Sequence, residues 1–572
     1  MSYLDYFSSH YLFIFGLIFP ILTGKWSRER SEELAKYRTD NIISPVVTIS
    51  DLTLQFFYHY SANIFILGSF FILCVIFLDT FFWRQPLISV RVFMAIWLFL
   101  AHVCLYFIIM FITRIIDEKF LYRNSNILQK DEFLKAVDPE LYKKNLKELE
   151  KKALNWVNGA KKIIIFIFVI LYLIIPVILL RTFIIEMKID RNTKELGLKF
   201  KHNNYIAYNP TSYNPVICDP GQNIPVKFPL RISVRKDLMA LRNIGFTGLL
   251  TFSTFGPESV EDYIPPILYA EELSDLGISK DYAKTYFSYI NDQRYYRLKD
   301  NLTNEDRRKL IKVFKNKFIS LSEIPAIAQE VGFNSVILGI WYVESNKLSF
   351  DDVCNKTARL EMSNAIAQSS RKNVDAYCIG HNQLNISYDI RDLKKAIENL
   401  RGKTCKPVST SQPVMDYYIN PDLFYIGDWF CPDIHGYWYA LNGVESQIKD
   451  PSVLADAISK KAGEEILTSV KQLQEQFLSK IGYKPVLIKF IGFPSTGKTR
   501  FSDLSQEIFF DEFLINIQKN TIFSSSNISF SYFDAFDTPW KEDVNFPEEA
   551  HIGFFTIDRQ AKPAAKVFKK FH

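Results

Sequence analysis

The 572-residue sequence lacks the cysteine pattern of a metal or redox site. Its seven cysteines include no C-x-x-C pair, which argues against a zinc site and against a thioredoxin-like motif. It also lacks an arginine-rich face interleaved with aromatic residues, and its net charge of +6 is modest and lies mainly in loops near apolar runs. We therefore expect no metal, no cofactor and no nucleic-acid partner.

The first apolar run, residues 11–23, lacks the features of a secretory signal. No positive charge precedes it, basic residues follow it, and it has no small-x-small cleavage site. We interpret it as a short first membrane segment. Clearer spans follow at residues 62–78, 92–112 and 163–180, each close to the ~20 residues that cross a bilayer. Residues 1–190 are thus predicted to form an α-helical membrane region with about four transmembrane helices, in contact with the lipid bilayer.

Basic residues predict the orientation of this region. Twelve Lys and Arg lie between residues 113 and 162, a segment short enough for the positive-inside rule. That loop should be cytoplasmic. With four crossings, the N-terminus and the C-terminal domain should lie outside the cytoplasm, in a periplasmic or extracellular location. Residues 191–203 are polar and are interpreted as a linker.

From residue 204 onward, strand-like and helix-like patterns alternate, as is typical of a β/α architecture. Strand patterns begin at Tyr205, Gly248 and Ser335, and an amphipathic helix begins near Asp237. Residues 258–320 interrupt this alternation with a polar, charge-rich insertion.

The stretch KPVLIKFIGFPSTGKT, residues 484–499, supports two interpretations. It starts as a buried strand, which Gly492, Pro494 and Gly497 break into a loop. Residues 492–499 match G-x-x-x-x-G-K-[ST], a phosphate loop in which Lys498 would contact the nucleotide. A nucleotide-binding domain needs several strands after that loop, whereas a barrel can place this strand near its end. Because the sequence stops at His572, we favour the barrel.

A series of blocks between residues 205 and 562 supports the barrel. In chain order they are YIAYNP, LLTFST, VILGIW, YCIGHNQLN, KPVSTSQPVMDYY, IGDWFCPDIHGYW, KPVLIKFIGFPSTG, FSYFDAFDTPWK and EEAHIGFFTIDRQAKP. Together they resemble glycoside hydrolase family 17, the β-1,3-glucanases, and particularly its bacterial members. The resemblance implies that residues 204–572 form a (β/α)8 TIM-type barrel with its active site where the strands end.

The resemblance also implies two catalytic glutamates, and both are substituted here. The acid/base glutamate of V-G-N-E-G-L aligns with Asn382, and the nucleophile before x-G-[FWL]-P aligns with Phe490. An amide is not a useful acid, and a phenyl ring has no lone pair to attack the anomeric carbon. We therefore expect no catalytic residue and no hydrolysis.

Other positions of the resemblance predict a cleft that still contacts sugar. Gln412 replaces a glutamate after T-T-[ST], and Asp534 replaces the glutamate of Y-F-E-A-F-D. Aromatic residues here could equally be core. The residues predicted to bind substrate are Tyr208, Gln412, His435, Tyr437, Asp534, Trp540 and Lys541.

The sequence therefore predicts a membrane-anchored, catalytically inactive glycoside-hydrolase-like domain. It would bind or handle a β-glucan-like polysaccharide or oligosaccharide, or scaffold a complex of membrane or envelope proteins. Two alternatives stay open. One is an active β-1,3-glucan hydrolase or transglycosylase that recruits Asp428, Asp433 or Asp534 as carboxylates. The other is a phosphate-loop nucleotide-binding protein.

Overall fold

A computed structural model describes most of the chain after residue 174. The described residues are 175–211, 228–257, 259, 261–270, 272–290, 295–382, 384–435, 451–473, 475, 484–497, 501–519, 528–541 and 546–571, with some positions between 136 and 166. The predicted spans at 11–23, 62–78, 92–112 and most of 163–180 lie outside them, as do most of the basic loop, Tyr437 and Lys498. Among the described helices, none has the length and apolar character needed to cross a membrane. The membrane region and its orientation stay predictions.

Eight parallel strands form a closed barrel. The (β/α)8 fold predicted for the C-terminal part is confirmed. The described strands, in chain order, are β1 (Tyr205–Tyr208), β2 (Gly248–Thr251), β3 (Ile267–Tyr269), β4 (Phe287–Ile290), β5 (Tyr295–Leu298), β6 (Ser335–Ile340), β7 (Val374–His381), β8 (Val408–Pro413), β9 (Cys431–Asp433), β10 (Val486–Ile491) and β11 (Ile528–Tyr532). The order around the barrel is β1–β11–β10–β9–β8–β7–β6–β2.

Helices cover the outside of the barrel. Because both faces of a parallel sheet are then covered, every residue of β1, β2, β6 and β10 is buried. The described helices are α1 (Ile175–His202), α2 (Arg231–Asn243), α3 (Glu272–Leu276), α4 (Lys280–Tyr286), α5 (Asn304–Phe314), α6 (Ile324–Val331), α7 (Val353–Ala367), α8 (Ile390–Thr404), α9 (Val414–Ile419), α10 (Pro451–Leu473), α11 (Asp503–Lys519) and α12 (Pro563–Phe571).

Helix α1 closes the amino end of the barrel. It extends to His202, so most of the segment predicted as a linker, residues 191–203, is helical. Phe200 packs edge-on against Tyr205 and Trp429, with ring centroids 5.4 Å apart in each case. Lys199 forms an ion pair with Asp375 at the start of β7, at 2.6 Å. The end of α1 is therefore part of the barrel's core.

The insertion at residues 258–320 has its own small core. Strands β3, β5 and β4 form an antiparallel sheet in that order. Buried side chains of this sheet and of α5, including Leu268, Phe287 and Phe314, pack in a cluster separate from the barrel core. The polar composition of this segment predicted a surface insertion, but it gave no sign of the sheet.

The position of strand β10 favours the barrel interpretation of residues 484–499 over the phosphate-loop interpretation. It is a member of the closed barrel, paired with β9 and β11. Gly492 follows it because a Cβ there would lie 2.1 Å from the carbonyl oxygen of Phe533. That close approach is a packing reason for the first glycine of the motif, and it needs no phosphate.

Candidate functional site

Four polar side chains meet near the carboxyl ends of β7, β8, β9 and β10. We call them the polar cluster: His381, Ser411, Asp433 and Lys489. Ser411 donates a hydrogen bond to Asp433 Oδ1 at 2.6 Å, and the Lys489 ammonium donates to Ser411 Oγ at 2.9 Å. His381 Nδ1 lies 3.2 Å from Lys489 Nζ and 3.6 Å from Asp433 Oδ2. The cluster links four neighbouring strands inside the barrel.

Burial controls the ionisation of the polar cluster. It raises the pKa of Asp433 to about 6, although Lys489, Ser411 and Asn382 favour the carboxylate and lower it. Burial, together with the positive charge of Lys489, lowers the pKa of His381 well below its usual value. At neutral pH the cluster therefore holds a neutral imidazole beside a lysine and aspartate of opposite charge.

Phe490 fills the space beside the polar cluster with an aromatic ring. The ring stacks on His435 at 4.5 Å and packs edge-on against Phe533 at 4.3 Å. It also lies parallel to Phe252 at 6.0 Å. The side chain is only 2% exposed. The position that the family resemblance assigns to the nucleophile is thus part of an aromatic core.

The backbone of β10 explains why Lys489 and Phe490 reach the same site. Successive side chains of a regular strand point to opposite faces. Here Phe490 has φ of 69°, in the left-handed region, and the pairing of β10 with β11 shifts register between Ile488 and Ile491. Lys489 Nζ consequently lies 4.4 Å from the Phe490 ring centroid.

Asn382 and Gln412 present amide oxygens at the same end of the barrel. The backbone N–H of Asn382 donates to Ser411 O at 3.2 Å, which sets the two residues side by side on β7 and β8. Gln412 Nε2 donates to the Tyr388 hydroxyl and to Thr410 Oγ1, both at 2.9 Å. The buried Asn382 Oδ1 and Gln412 Oε1 accept no hydrogen bond from the described residues. Both oxygens are thus unpaired acceptors, and neither is open to the surface.

Asp534 and Lys541 form a buried ion pair near the ring of Phe533. Their side chains approach to 3.4 Å, and Lys541 Nζ lies 4.6 Å from the Phe533 centroid. Burial raises the pKa of Asp534 to about 6, with Lys541 opposing the shift. Burial lowers the pKa of His435 to about 3, and Lys541 and Lys489 add to that effect. His435 is therefore neutral at physiological pH.

The structure gathers most, but not all, of the site residues predicted from sequence. Asn382, Gln412, His435, Phe490, Asp534 and Lys541 all lie at the carboxyl end of the barrel. Tyr208 is fully buried, and its hydroxyl donates to Asp237 at 2.9 Å. Trp540 belongs to a short 3-10 helix, Pro539–Lys541, but its side chain and all of Tyr437 lie outside the described residues.

The three carboxylates proposed as recruited catalytic groups do not lie together in the structure. Asp433 and Asp534 lie at the carboxyl end. Asp428 lies at the amino end, where it accepts a hydrogen bond from the N–H of Val408, at the start of β8, and pairs with Arg401 at 3.0 Å. Asp428 thus has a structural partner and is remote from the polar cluster.

Sequence reasoning missed His381, Ser411 and Lys489. The available signal was Lys489, a lone lysine inside the apolar run VLIKFI, because lysine is almost never fully buried without a partner. The described residues include no cluster of histidine, cysteine and acidic residues able to hold a metal ion.

Glu361 holds in place two loops that carry aromatic residues of the candidate site. This fully buried residue of α7 accepts hydrogen bonds from Ser253 Oγ and, at 2.9 Å, from the N–H of Tyr342. Burial raises its pKa to about 7. The two loops it holds carry Phe252 and Trp341, whose rings approach His381 to 6.1 and 4.3 Å. Nothing in the sequence distinguished this glutamate from a solvated helix residue.

The chain matches no protein-family model and no curated protein. Solved structures similar to it include an active-site mutant of a Rhizomucor miehei β-1,3-glucanosyltransferase in complex with laminaritriose, at 18% identity, covering 64% of this chain and 97% of that chain with a TM-score of 0.38. The family 17 β-1,3-glucanosyltransferase from Rhizomucor miehei is similar at 17% identity, with 64% and 98% coverage and a TM-score of 0.38. A GH5_18 protein from Bifidobacterium longum subsp. infantis is similar at 12% identity, with 64% and 78% coverage and a TM-score of 0.37.

Proposed function

We propose that this chain is a catalytically inactive glycoside-hydrolase-like barrel that binds a β-glucan-like carbohydrate. The observation that carries the proposal is the packing around Phe490, whose ring is buried between His435 and Phe533. A retaining hydrolase needs two carboxyl groups about 5–5.5 Å apart. At the positions that the resemblance assigns to them stand this ring and the amide of Asn382.

Carbohydrate binding is supported by the groups that remain. Trp341 is partly exposed, 4.3 Å from the His381 ring, and offers an apolar face to a sugar ring, and partly exposed Asn382 has an amide oxygen without a partner among the described residues. The choice of a β-glucan comes from the sequence resemblance. By the same proposal the barrel lies outside the cytoplasm, held by the predicted membrane region, where it handles polysaccharide or assembles with envelope proteins.

Titration of the purified full-length chain with β-1,3-linked gluco-oligosaccharides tests this proposal. We expect saturable binding. Trp341→Ala should weaken it about tenfold, the order expected when an aromatic contact is lost. Tyr425→Ala is the matched control, because Tyr425 is 69% exposed on the segment that precedes β9, and it should leave affinity unchanged. Absence of binding in the wild type would leave only the scaffold function.

A second candidate is hydrolysis by recruited carboxylates. The observation that favours it is the pKa of about 6 for both Asp433 and Asp534, which lies near the value of a general acid that works at neutral pH. New reducing ends that form with the wild type and disappear with Asp433→Asn or Asp534→Asn would establish this alternative.

A further inference from the structure

A cleft of about 660 Å³ opens on the outside of the barrel between α7 and α8. Its floor is apolar and comes from Met362, Ile366, Ile379 and Ala396. The loop after β6 forms another wall and includes Phe350, whose side chain is 70% exposed. The volume and the apolar floor are those of a site for a small organic molecule.

The carboxylates that line the cleft already have partners. Asp392 accepts hydrogen bonds from Ser345 at 2.9 Å and from Asn346 at 2.8 Å. Glu344 lies 2.8 Å from the guanidinium of Arg359. The charge of Glu344 is therefore paired with a cation, and the oxygens of Asp392 are already occupied by neutral donors.

Two lysines of the cleft have no such partner. Lys395 and Lys403 line it from α8, with Asn399 between them at the i+4 position. Neither lysine forms an ion pair or hydrogen bond with any residue of the described chain. Along the helix axis they are about 12 Å apart. Because the lining holds three cationic and two anionic side chains, the cleft combines an apolar floor with a net positive charge.

We propose that this cleft binds a small organic anion with an apolar body. The body lies on the floor formed by Met362, Ile366 and Ala396, and the acidic group, a carboxylate or a phosphate, lies against Lys395 or Lys403. Phe350 adds a ring at one wall, where the Arg359 guanidinium carbon lies 3.9 Å from its centroid and restrains it. The cleft shares no lining residue with the polar cluster, so the proposal goes beyond carbohydrate binding and does not depend on it.

Equilibrium dialysis of the full-length chain tests the proposal with three matched probes: 2-naphthoate, 2-naphthyl phosphate and the neutral 2-naphthol. We expect both anions to bind more tightly than 2-naphthol, and their ranking identifies the preferred acidic group. The double variant Lys395→Gln/Lys403→Gln should weaken anion binding about tenfold, since it removes charge-assisted hydrogen bonds, and leave 2-naphthol binding unchanged.

Two single variants locate the site. Lys394→Gln removes an exposed lysine of α8 that does not line the cleft, so all affinities should stay as in the wild type. Ser363→Trp should weaken the binding of all three probes, because Ser363 is exposed at the cleft wall and the indole would fill it. The proposal is overturned if the anions do not bind at millimolar concentration, if the double variant binds them as well as the wild type does, or if Ser363→Trp has no effect.

Discussion

Both ends of the barrel are filled with aromatic rings, but the two ends differ in how deeply their charged side chains are buried. At the amino end, Phe200, Tyr205 and Trp429 form a dry cluster, and the nearby Lys199–Asp375 pair keeps the lysine partly exposed. At the carboxyl end, the Lys541–Asp534 pair and the charges of Lys489 and Asp433 lie among the rings, with Lys489 Nζ 4.8 Å from the Phe252 centroid. Burying charge is costly, and the amino-end pairs Lys199–Asp375 and Arg401–Asp428 keep their cations 36% and 23% exposed, whereas Lys489 is 3% exposed. The more deeply buried charge therefore favours the carboxyl end as the candidate site.

The largest expected effect on stability comes from a substitution at the amino end of the barrel. Trp429→Ala removes a fully buried indole and should cost about 3–5 kcal/mol in the free energy of unfolding, because a large cavity would remain. Denaturant titration measures the loss. Affinity for oligosaccharide should not change in the fraction that stays folded. A large loss of affinity without a loss of stability would mean that the ligand binds at the amino end, which contradicts the proposal.

The next largest effect on the free energy of unfolding is expected when one buried charge is removed. Lys489→Met removes the ammonium that donates to Ser411 and whose charge favours the Asp433 carboxylate, and it should cost about 3 kcal/mol at pH 7, as when a buried charge loses the opposite charge near it. The double variant Lys489→Met/Asp433→Asn should recover a large part of that loss. The coupling energy from a double-mutant cycle is the readout. Simple additivity of the two single variants would mean that the pair does not interact.

Most of the barrel could be predicted because its strands carry strong local signals. Apolar runs at Tyr205, Gly248, Ser335 and Val486 became β1, β2, β6 and β10. The amphipathic helix predicted near Asp237 lies within α2, Arg231–Asn243. The helical end of α1 was missed although its buried residues Ile189, Leu196 and Phe200 have helical spacing, because the charged residues between them were interpreted as a polar linker.

The site was harder to predict than the fold. Alignment to motifs located Asn382 and Phe490, because the resemblance supplies their neighbours. The polar cluster depends on contacts between β7, β8, β9 and β10, which lie far apart in the sequence. Lys489 and His381, for example, are separated by 108 residues. The direction of the Lys489 side chain follows from the positive φ of Phe490, and no sequence pattern revealed it.

A smaller, pH-dependent effect tests the ion pair of Asp534. Its pKa is about 6 in the fold and 3.8 as the ordinary value, so the folded state binds the proton more tightly. The stabilisation from that proton is present below pH 4 and is lost as the pH rises through about 6, at most on the order of 2–3 kcal/mol. Asp534→Asn removes this titration.

The readout is the difference in the free energy of unfolding between wild type and Asp534→Asn, measured from pH 4 to pH 7. We expect the wild type to lose stability relative to the variant as the pH rises. Comparison with the variant matters because His435, whose pKa is lowered to about 3, has the opposite dependence and becomes destabilising as the pH falls below its ordinary value. A constant difference across this range would contradict the burial argument for Asp534.

The central claim is that the carboxyl end of this barrel binds carbohydrate without cleaving it. The most direct measurement follows new reducing ends while the full-length chain is incubated with laminarin-type oligosaccharides at a saturating concentration. The account predicts no release by the wild type, nor by Asn382→Glu or Phe490→Glu alone, because the two carboxyl groups act in the same steps. Robust release by the wild type that Asp433→Asn or Asp534→Asn abolishes would contradict it.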